Sequence, residues 1–504
     1  MRRIHAYAVS LALGVSITAL PAALSAAQEP VNSHGAVDTG EQAKQMAMAL
    51  EVLPVANIWL GKYRQRHRIP ALSVAVVKGE NTIWSRGYGF TDRKMSMPAR
   101  PDTIYSICSI SKLFTAVAFM QQWEKGTVRL DDTVTTHLPW ATLAPDDRES
   151  VPITMRGLLT HSAGLPRESV HPYWTGPEFS FPTQAEIRAT MSGQSPLYPA
   201  STTWQYSNLG LTLVGDTVEA VSGRRYGDYV TDSILKPLGL DNTRPYIPAE
   251  KHGGQMAVGW GALRDDGTRP EVALFDAKGI NPAAGYSSSV EDLAAFAAWQ
   301  FRLLRTGKAE VLRASTLRDM QRVHYITPDR KTAWGLGFAT YQVDETDIVG
   351  HGGSCPGYRS VLMQNLEEEF AIALAMNTME SPGAIGAQLL ALFKARIEAK
   401  DFEVPEGVEV DLSEYAGFYD HQPWDRESVI VPWAGGLAWI DVSYDEPAGE
   451  IGRLKPLGGD RFRVITQDGE ERDVVTFHRK QDGSIDYVER FGNRDRFARP
   501  LISD

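Results

Sequence analysis

The sequence predicts an α/β (α+β) chain: an antiparallel β-sheet flanked by helices, with a mostly helical second subdomain, followed by a small C-terminal antiparallel β-barrel or sandwich. Two observations predict it. Strand-like runs occur around residues 70–92 and again at 335–377, with a mostly helical and loop region at about 120–330 between them, so the sheet is assembled from both ends of one segment. From Leu412 the pattern changes to short strand-like runs separated by turn signals, among them Asp468-Gly469 and Asp482-Gly483. Hydrophobic residues make up 43% of the 504, ample for a core of this kind.

The first residues carry Arg2 and Arg3, an apolar stretch to about Ala19 and small residues from Ala22 to Ala27, the pattern of a secretory signal peptide cleaved after Ala27. The apolar run is short for a span of ~20 residues, and no later segment is long and apolar enough to cross a membrane. Export to a bacterial periplasm or secretion is the expectation. A linker covers 28–40, a main domain 41–402, a second linker 403–411 and the β-domain 412–504.

Each element has its reason. Residues 41–67 have helical apolar spacing, and "PALSVAVVKGENTIWSRGYGFTD" gives two β-rich runs around Lys78-Gly79-Glu80-Asn81, a hairpin. "YSICSISKLFTA" (105–116) reads as a helix, and Ser289 followed by Asp292 starts another. Strands are expected at "GLGFATYQV", "DIVGHGGS" and 358–377, then a helix at 383–399. In the β-domain the runs are "SVIVPW", "GLAWIDVSY", "RFRVIT", "DVVTFHR" and "IDYVERF".

Charge excludes some partners. Without Arg2 and Arg3 the basic residues fall from 51 to 49 against 62 acidic ones, a net charge of −13. Such a surface disfavours nucleic acid and anionic lipid. The histidines show no HExxH, no HxH and no acidic partner at ligand spacing, so neither a catalytic metal nor another cofactor is expected.

The candidate chemistry begins with Ser109 and Lys112, three residues apart in an apolar stretch. An unpaired lysine buried there is costly unless it has partners or a function. A buried lysine of lowered pKa can accept a serine proton. The plainer alternative is a buried hydrogen-bonded pair. Tyr206 and Asn208 stand in "WQYSNLG", and His351, Gly352, Gly353 and Ser354 in "VGHGGS". Singly, Tyr206 is as well explained as a core tyrosine and His351 as an edge-strand histidine.

Taken together, Ser-x-x-Lys, then Tyr-x-Asn about 95 residues on, then His-Gly-Gly about 145 residues further resemble the three ordered motifs of the penicillin-recognising serine hydrolases. That superfamily includes class C β-lactamases, D,D-peptidases, D-aminopeptidases and family VIII esterases. The resemblance extends to "LLTHSAGLP", "YSNLGLTLVGDTVEAVSG" and "HGGSCPGYRS" and covers roughly residues 45–400. It implies the serine β-lactamase fold and an acyl-enzyme on Ser109. Lys112 would share or remove the serine proton, and Tyr206, its pKa depressed by cationic neighbours, would be the general base and pass the proton to the leaving group. Asn208 would bind Lys112 and substrate, and His351 would take the place of the lysine in Lys-Thr-Gly. The backbone N–H groups of Ser109 and Ser354 would form the oxyanion hole, while Gly352 and Gly353 would let substrate approach the strand edge. His161 is expected to be structural.

The only cysteines, Cys108 and Cys355, adjoin the two implied oxyanion donors. Two unrelated buried thiols are one reading. The resemblance favours the other: carbapenemase-type class A β-lactamases carry a disulfide at these offsets, and an oxidising compartment permits it.

The expected substrate is a small peptide cleaved at an amide bond. An ester or β-lactam-like substrate for the same residues is the first alternative, and a non-catalytic sensor of cell-wall fragments the second. Histidine in place of lysine weakens the case for penicillins, whose carboxylate the lysine helps bind. "HPYWTGPEFSFP" (171–182) either lines the pocket entrance or is a loop pinned by its own aromatics. Oligomeric state and the role of the β-domain stay open.

Overall fold

Helix α1 (Thr39–Arg66) leads into strands β1 (Ala71–Lys78) and β2 (Asn81–Gly89), joined at Gly79-Glu80 as expected. Gly79 takes the left-handed φ of +61° that so short a hairpin turn favours. The computed structural model describes residues 39–144, 148–403, 410–449, 451–466 and 468–501. The leader at 1–27, nearly all of the first linker and residues 404–409 of the second lie outside them.

Strand β3 (Tyr105–Cys108) and helix α2 (Ser111–Glu124) come next, followed by α3 (Val134–His137), α4 (Met155–Leu159), α5 (Gln184–Thr190), α6 (Asn208–Ser222), α7 (Tyr226–Val230) and α8 (Asn281–Ala284). Strand β4 (Tyr286–Ser288) pairs with β3. Helix α9 (Val290–Thr306) starts where Ser289 accepts the Asp292 N–H at 3.2 Å, the expected cap, and α10 (Ala314–Gln321) follows. Strands β5 (Tyr325–Ile326), β6 (Thr332–Trp334), β7 (Ala339–Val343), β8 (Thr346–Cys355), β9 (Tyr358–Asn365) and β10 (Phe370–Met376) precede helix α11 (Pro382–Glu398). The sheet is antiparallel in the order β2-β1-β10-β9-β8-β7-β6-β5, so its two ends of chain meet where β1 pairs with β10.

Strand period explains the layering. Along β1, Ala71, Ala75 and Val77 point into the core that contains α2, α6 and α9, while Leu72, Val74 and Val76 point into a second core with α1 and α11. Both faces of the sheet are therefore covered.

The C-terminal region is a barrel, not a sandwich. Strands β11 (Gly417–Asp420), β12 (Glu427–Trp433), β13 (Gly436–Ile440), β14 (Gly452–Gly458), β15 (Arg461–Ile465), β16 (Glu471–Arg479), β17 (Ile485–Arg490) and β18 (Asn493–Pro500) close through β11–β18 pairing. Three of the eight are absent from the sequence expectation. β11 is four residues long, β14 contains Pro456, and β18 carries three arginines and an aspartate on a largely exposed strand, so none shows clean alternation.

The barrel seats on α1 and α11. Val429, Val431 and Trp433 enter the second core, the Ala434 N–H donates to Glu51 at 2.9 Å, and the Trp59 indole donates to the Tyr444 carbonyl at 3.1 Å. From Gln45 onward barrel and sheet form one compact unit. The barrel thus packs behind the sheet, on the face opposite the core that holds Cys108 and α2. Among the described residues no helix is long and apolar enough to cross a membrane.

Candidate active site

The segment expected to be one helix is a strand, a turn and a helix. β3 ends at Cys108, which has a left-handed φ of +50°; Ser109 and Ile110 turn the chain, and α2 starts at Ser111. The Lys112 N–H still donates to the Ser109 carbonyl at 3.1 Å, so the serine sits one turn before the lysine. Strand residues are fixed by pairing with β4 and the lysine by the helix, which leaves the serine at a tight corner.

Lys112 is wholly buried, and its Nζ has three neighbours: Ser109 Oγ at 3.1 Å, Asn208 Oδ1 at 2.7 Å and the Ala283 carbonyl at 2.7 Å. Asn208 opens α6, and its Nδ2 donates to Glu168 Oε1 at 2.6 Å, which fixes its amide oxygen toward the lysine. The same carboxylate oxygen accepts the Trp174 indole N–H at 2.8 Å. Burial holds the Lys112 ammonium well below the usual lysine range, Glu168 opposes this and Arg167 adds to it. Either form of the amine fits these neighbours: an ammonium donates to all three oxygens, and a neutral amine donates to Asn208 Oδ1 and the Ala283 carbonyl and can accept from the one neighbour with a hydrogen to give, the Ser109 hydroxyl.

Tyr206 hydrogen-bonds to the Ser109 side chain. Lys112 Nζ lies 4.8 Å and the Arg167 guanidinium 5.1 Å from its ring centre. The expectation of a depressed tyrosine pKa is not met: burial raises the phenol, and the opposing effects of the Ser109 hydrogen bond and Arg167 are smaller. His161 stacks on the Tyr206 ring at 4.3 Å, and its Nδ1 accepts the Ser207 N–H at 3.1 Å. Burial keeps His161 neutral, which suits a packing role.

His351, Gly352, Gly353 and Ser354 lie near the end of β8. β7 pairs only with Thr346–Gly350, so from His351 onward the outer edge of β8 pairs with no strand among the described residues. His351 Nδ1 donates to the Gly352 carbonyl at 2.6 Å. Burial, with Lys112 nearby, pushes its pKa down to about 3, so the ring is neutral and supplies no positive charge for a carboxylate.

The two glycines differ in purpose. Gly352 is exposed, and a Cβ there would have only the Ser360 carbonyl within reach, at 3.9 Å. A Cβ on Gly353 would stand 2.2 Å from the Ile107 carbonyl oxygen and 2.3 Å from Ser360 Oγ. Open approach to the strand edge fits Gly352; Gly353 is instead required where β8 packs on β3. The Cys108–Cys355 disulfide joins the same two strands, with Cα atoms 5.8 Å apart. Its neighbours in sequence, Ser109 and the exposed Ser354, are the two expected oxyanion donors, and the Ser109 N–H donates to no backbone carbonyl among the described residues.

Several site residues escaped sequence reasoning. Glu168 stands two residues beyond "LLTHSAGLP", an acid next to Arg167 with no motif of its own. Trp204 and Trp334 stack at 5.5 Å, and Trp334 meets His161 edge-on at 4.8 Å and lies 5.7 Å from His351. Trp204, two residues before Tyr206, was the one aromatic within reach of the motif. The 171–182 loop is pinned by its own aromatics: Tyr173 and Phe181 are buried, Phe181 packs on Trp174 at 4.8 Å and on Phe275 at 5.5 Å, and Trp174 ties the loop to Glu168. No group of three His, Cys, Asp or Glu side chains among the described residues has the geometry to hold a metal.

Solved structures with this fold include the octameric penicillin-binding protein homologue from Pyrococcus abyssi, with a TM-score of 0.58 and 22% identity over 92% of this chain and 99% of that one. Another is the D-amino acid amidase from Ochrobactrum anthropi SV3, with a TM-score of 0.57 and 23% identity over 68% and 98%. In sequence, protein flp of Staphylococcus aureus (strain COL) is 24% identical over 319 residues, 62% of this chain and 60% of that protein, so the match spans about three fifths of the relative's length. The unguisins hydrolase ungD' of Aspergillus campestris is 26% identical over 346 residues. Residues 57–395 match the beta-lactamase family, and with all three motifs assembled around one serine the chain belongs to that family, within the penicillin-recognising serine hydrolases.

Proposed function

We propose that this protein is an exported serine hydrolase that cleaves amide bonds of small peptides through an acyl-enzyme on Ser109. The observation that carries the proposal is the surroundings of Lys112 Nζ: two acceptors that cannot donate, and one hydroxyl that can. The roles divide differently from the sequence expectation. Neutral Lys112 takes the Ser109 proton as the hydroxyl attacks the carbonyl carbon, and the ammonium formed keeps Asn208 and Ala283 as acceptors. Tyr206, a protonated phenol bonded to Ser109, passes its proton to the leaving nitrogen; the phenolate stays beside the Lys112 ammonium until deacylation, when the attacking water gives its proton to Tyr206 and Lys112 returns one to the departing Ser109 oxygen. The N–H groups of Ser109 and Ser354 stabilise the oxyanion. Water then attacks the acyl-enzyme on the same machinery. Export is supported by the leader-like residues 1–27 and by the disulfide.

Esters are the second reading. The neutral His351 and the Trp204–Trp334 stack favour an uncharged substrate over the carboxylate-bearing β-lactams. Hydrolysis of one p-nitrophenyl ester, a series of L- and D-aminoacyl p-nitroanilides and a chromogenic cephalosporin by the protein and by Ser109→Ala tests both. Anilide turnover lost in the variant is expected. Ester turnover alone, or cephalosporin turnover, would replace the peptidase reading, and activity unchanged in Ser109→Ala would overturn the mechanism.

A further inference from the structure

An eight-stranded barrel is just wide enough either to be filled by side chains or to hold one small ligand. This barrel does both at once. Tyr415, Tyr419, Phe462 and Phe477 pack edge-to-face inside it and fill part of the interior. Beside them lies a cavity of about 260 Å³, with Ser428, Trp439 and Leu454 in its wall and the turns after β11, β13 and β17 around its mouth.

The polar groups of this cavity are balanced in sign. His421, Arg426 and Arg490 face Asp425, Asp441 and Asp495. An anion would meet three carboxylates there and a cation three basic side chains, while an apolar ligand would cut these groups off from water and leave them only the bonds they make within the protein. The walls offer donors and acceptors together. Ser428 Oγ accepts the Trp439 indole N–H at 2.6 Å, which leaves its own hydrogen to donate. Asp495 is almost fully buried and bonds His421 through Oδ1 at 2.5 Å, which leaves Oδ2 to accept. Such a lining matches a neutral ligand rich in hydroxyl groups.

The rim adds a second, independent observation. Trp424, 82% exposed, and Phe491, 76% exposed, are the two most exposed large hydrophobic side chains among the described residues, and each directly adjoins a cavity residue, Asp425 and Arg490 respectively. Tyr444, also exposed, donates its hydroxyl to Asp425 at 3.2 Å. A single exposed apolar side chain is ordinary on a protein surface; what singles these two out is that both adjoin one cavity, with the Arg490 guanidinium 5.2 Å from the Phe491 ring centre, and electron-rich aromatic faces suit the C–H faces of sugar rings. We propose that the open end of the barrel is a saccharide-binding site: one sugar unit enters the cavity and hydrogen-bonds to Ser428, Asp495 and the neighbouring charged groups, while adjoining units lie across Trp424 and Phe491. The barrel packs behind the sheet, so this site is separate from Ser109 and does not depend on the catalytic reading.

The test uses the full chain and Ser109→Ala, titrated by calorimetry and tryptophan fluorescence with chitotetraose, cellotetraose, maltotetraose and a galactose tetrasaccharide up to millimolar concentration. At least one is expected to bind equally to both proteins. Trp424→Ala and Asp495→Asn should each weaken that binding by about tenfold or more, as loss of a central contact does, with hydrolysis of a p-nitrophenyl ester unchanged in Trp424→Ala. A circular-dichroism melt checks that Asp495→Asn folds; Trp424 is exposed, and its variant keeps the proposal testable if Asp495→Asn does not. No binding by any of the four sugars, or binding that Trp424→Ala leaves intact, would overturn the proposal. Penta-alanine quenching Trp424 in place of the sugars would assign the barrel to a peptide instead.

Discussion

Replacing Gly353 by alanine puts a methyl group where β3 and β8 touch. The added Cβ stands 2.2 Å from the Ile107 carbonyl oxygen and 2.3 Å from Ser360 Oγ, whereas ordinary contact begins near 3.4 Å. The serine cannot swing away freely, because its hydroxyl donates to that same Ile107 carbonyl at 3.0 Å. The strands must therefore separate by roughly 1 Å, a displacement that costs on the order of 100-fold in rate when it misplaces reacting groups. Overpacking of this kind typically costs about 1–3 kcal/mol of stability. Losing one oxyanion donor costs on the order of 10²–10³ in kcat. Gly353→Ala is thus expected to lower kcat on a p-nitrophenyl ester by about two orders of magnitude and to lower the urea midpoint. Gly352→Ala, with its nearest neighbour at 3.9 Å, should hold its stability within about 0.5 kcal/mol. Wild-type kcat in Gly353→Ala would refute the view that close β3–β8 packing sets the oxyanion hole.

Three further outcomes are expected. Glu168→Gln keeps acceptors for Asn208 and Trp174 but removes the charge that raises Lys112, so the acid limb of its kcat/KM–pH profile should move to lower pH; an unmoved limb argues against Lys112 as the base. His351 is neutral in the fold down to about pH 3, so below its ordinary value of 6.5 the unfolded chain binds a proton that the native state refuses, and stability falls with falling pH. At about 1.4 kcal/mol per pH unit, wild type should lose roughly 2–3 kcal/mol more than His351→Gln between pH 6.5 and 4.5 in urea titrations. The double variant Cys108→Ser, Cys355→Ser opens a link between residues 247 apart, and chain entropy sets a ceiling of roughly 5 kcal/mol on the stability lost, read from the same titrations.

Much of the site was legible because its signals are local. The three-residue step from Ser109 to Lys112, the Tyr206-x-Asn208 spacing and the glycines of β8 are written in short stretches, and each reaches the site with the element that carries it. The hairpin at Gly79 and the cap at Ser289 were equally plain, since turn and cap chemistry depend on a few adjacent residues. Cys108 and Cys355 are the only cysteines and each adjoins a motif residue, so their pairing was legible through the family resemblance.

The features hidden from sequence depend on sums over distant neighbours. The lowered pKa of Lys112 and the raised pKa of Tyr206 follow from burial by α2, α6, the α8 segment and the 161–174 loop together, and no single stretch contains that desolvation. Glu168 matters because folding sets it against Asn208, 40 residues away. Gly353 reads as an approach path for substrate until β3 is seen against it. Barrel closure, too, was hidden in β11, β14 and β18, whose charge, proline and brevity mask alternation, because a strand held by two paired neighbours needs little pattern of its own. Short stretches of sequence point to the groups of the candidate site; packing between distant segments sets their pKa shifts, their spacing and the face on which the barrel sits, because burial and contact are sums over residues far apart in the chain.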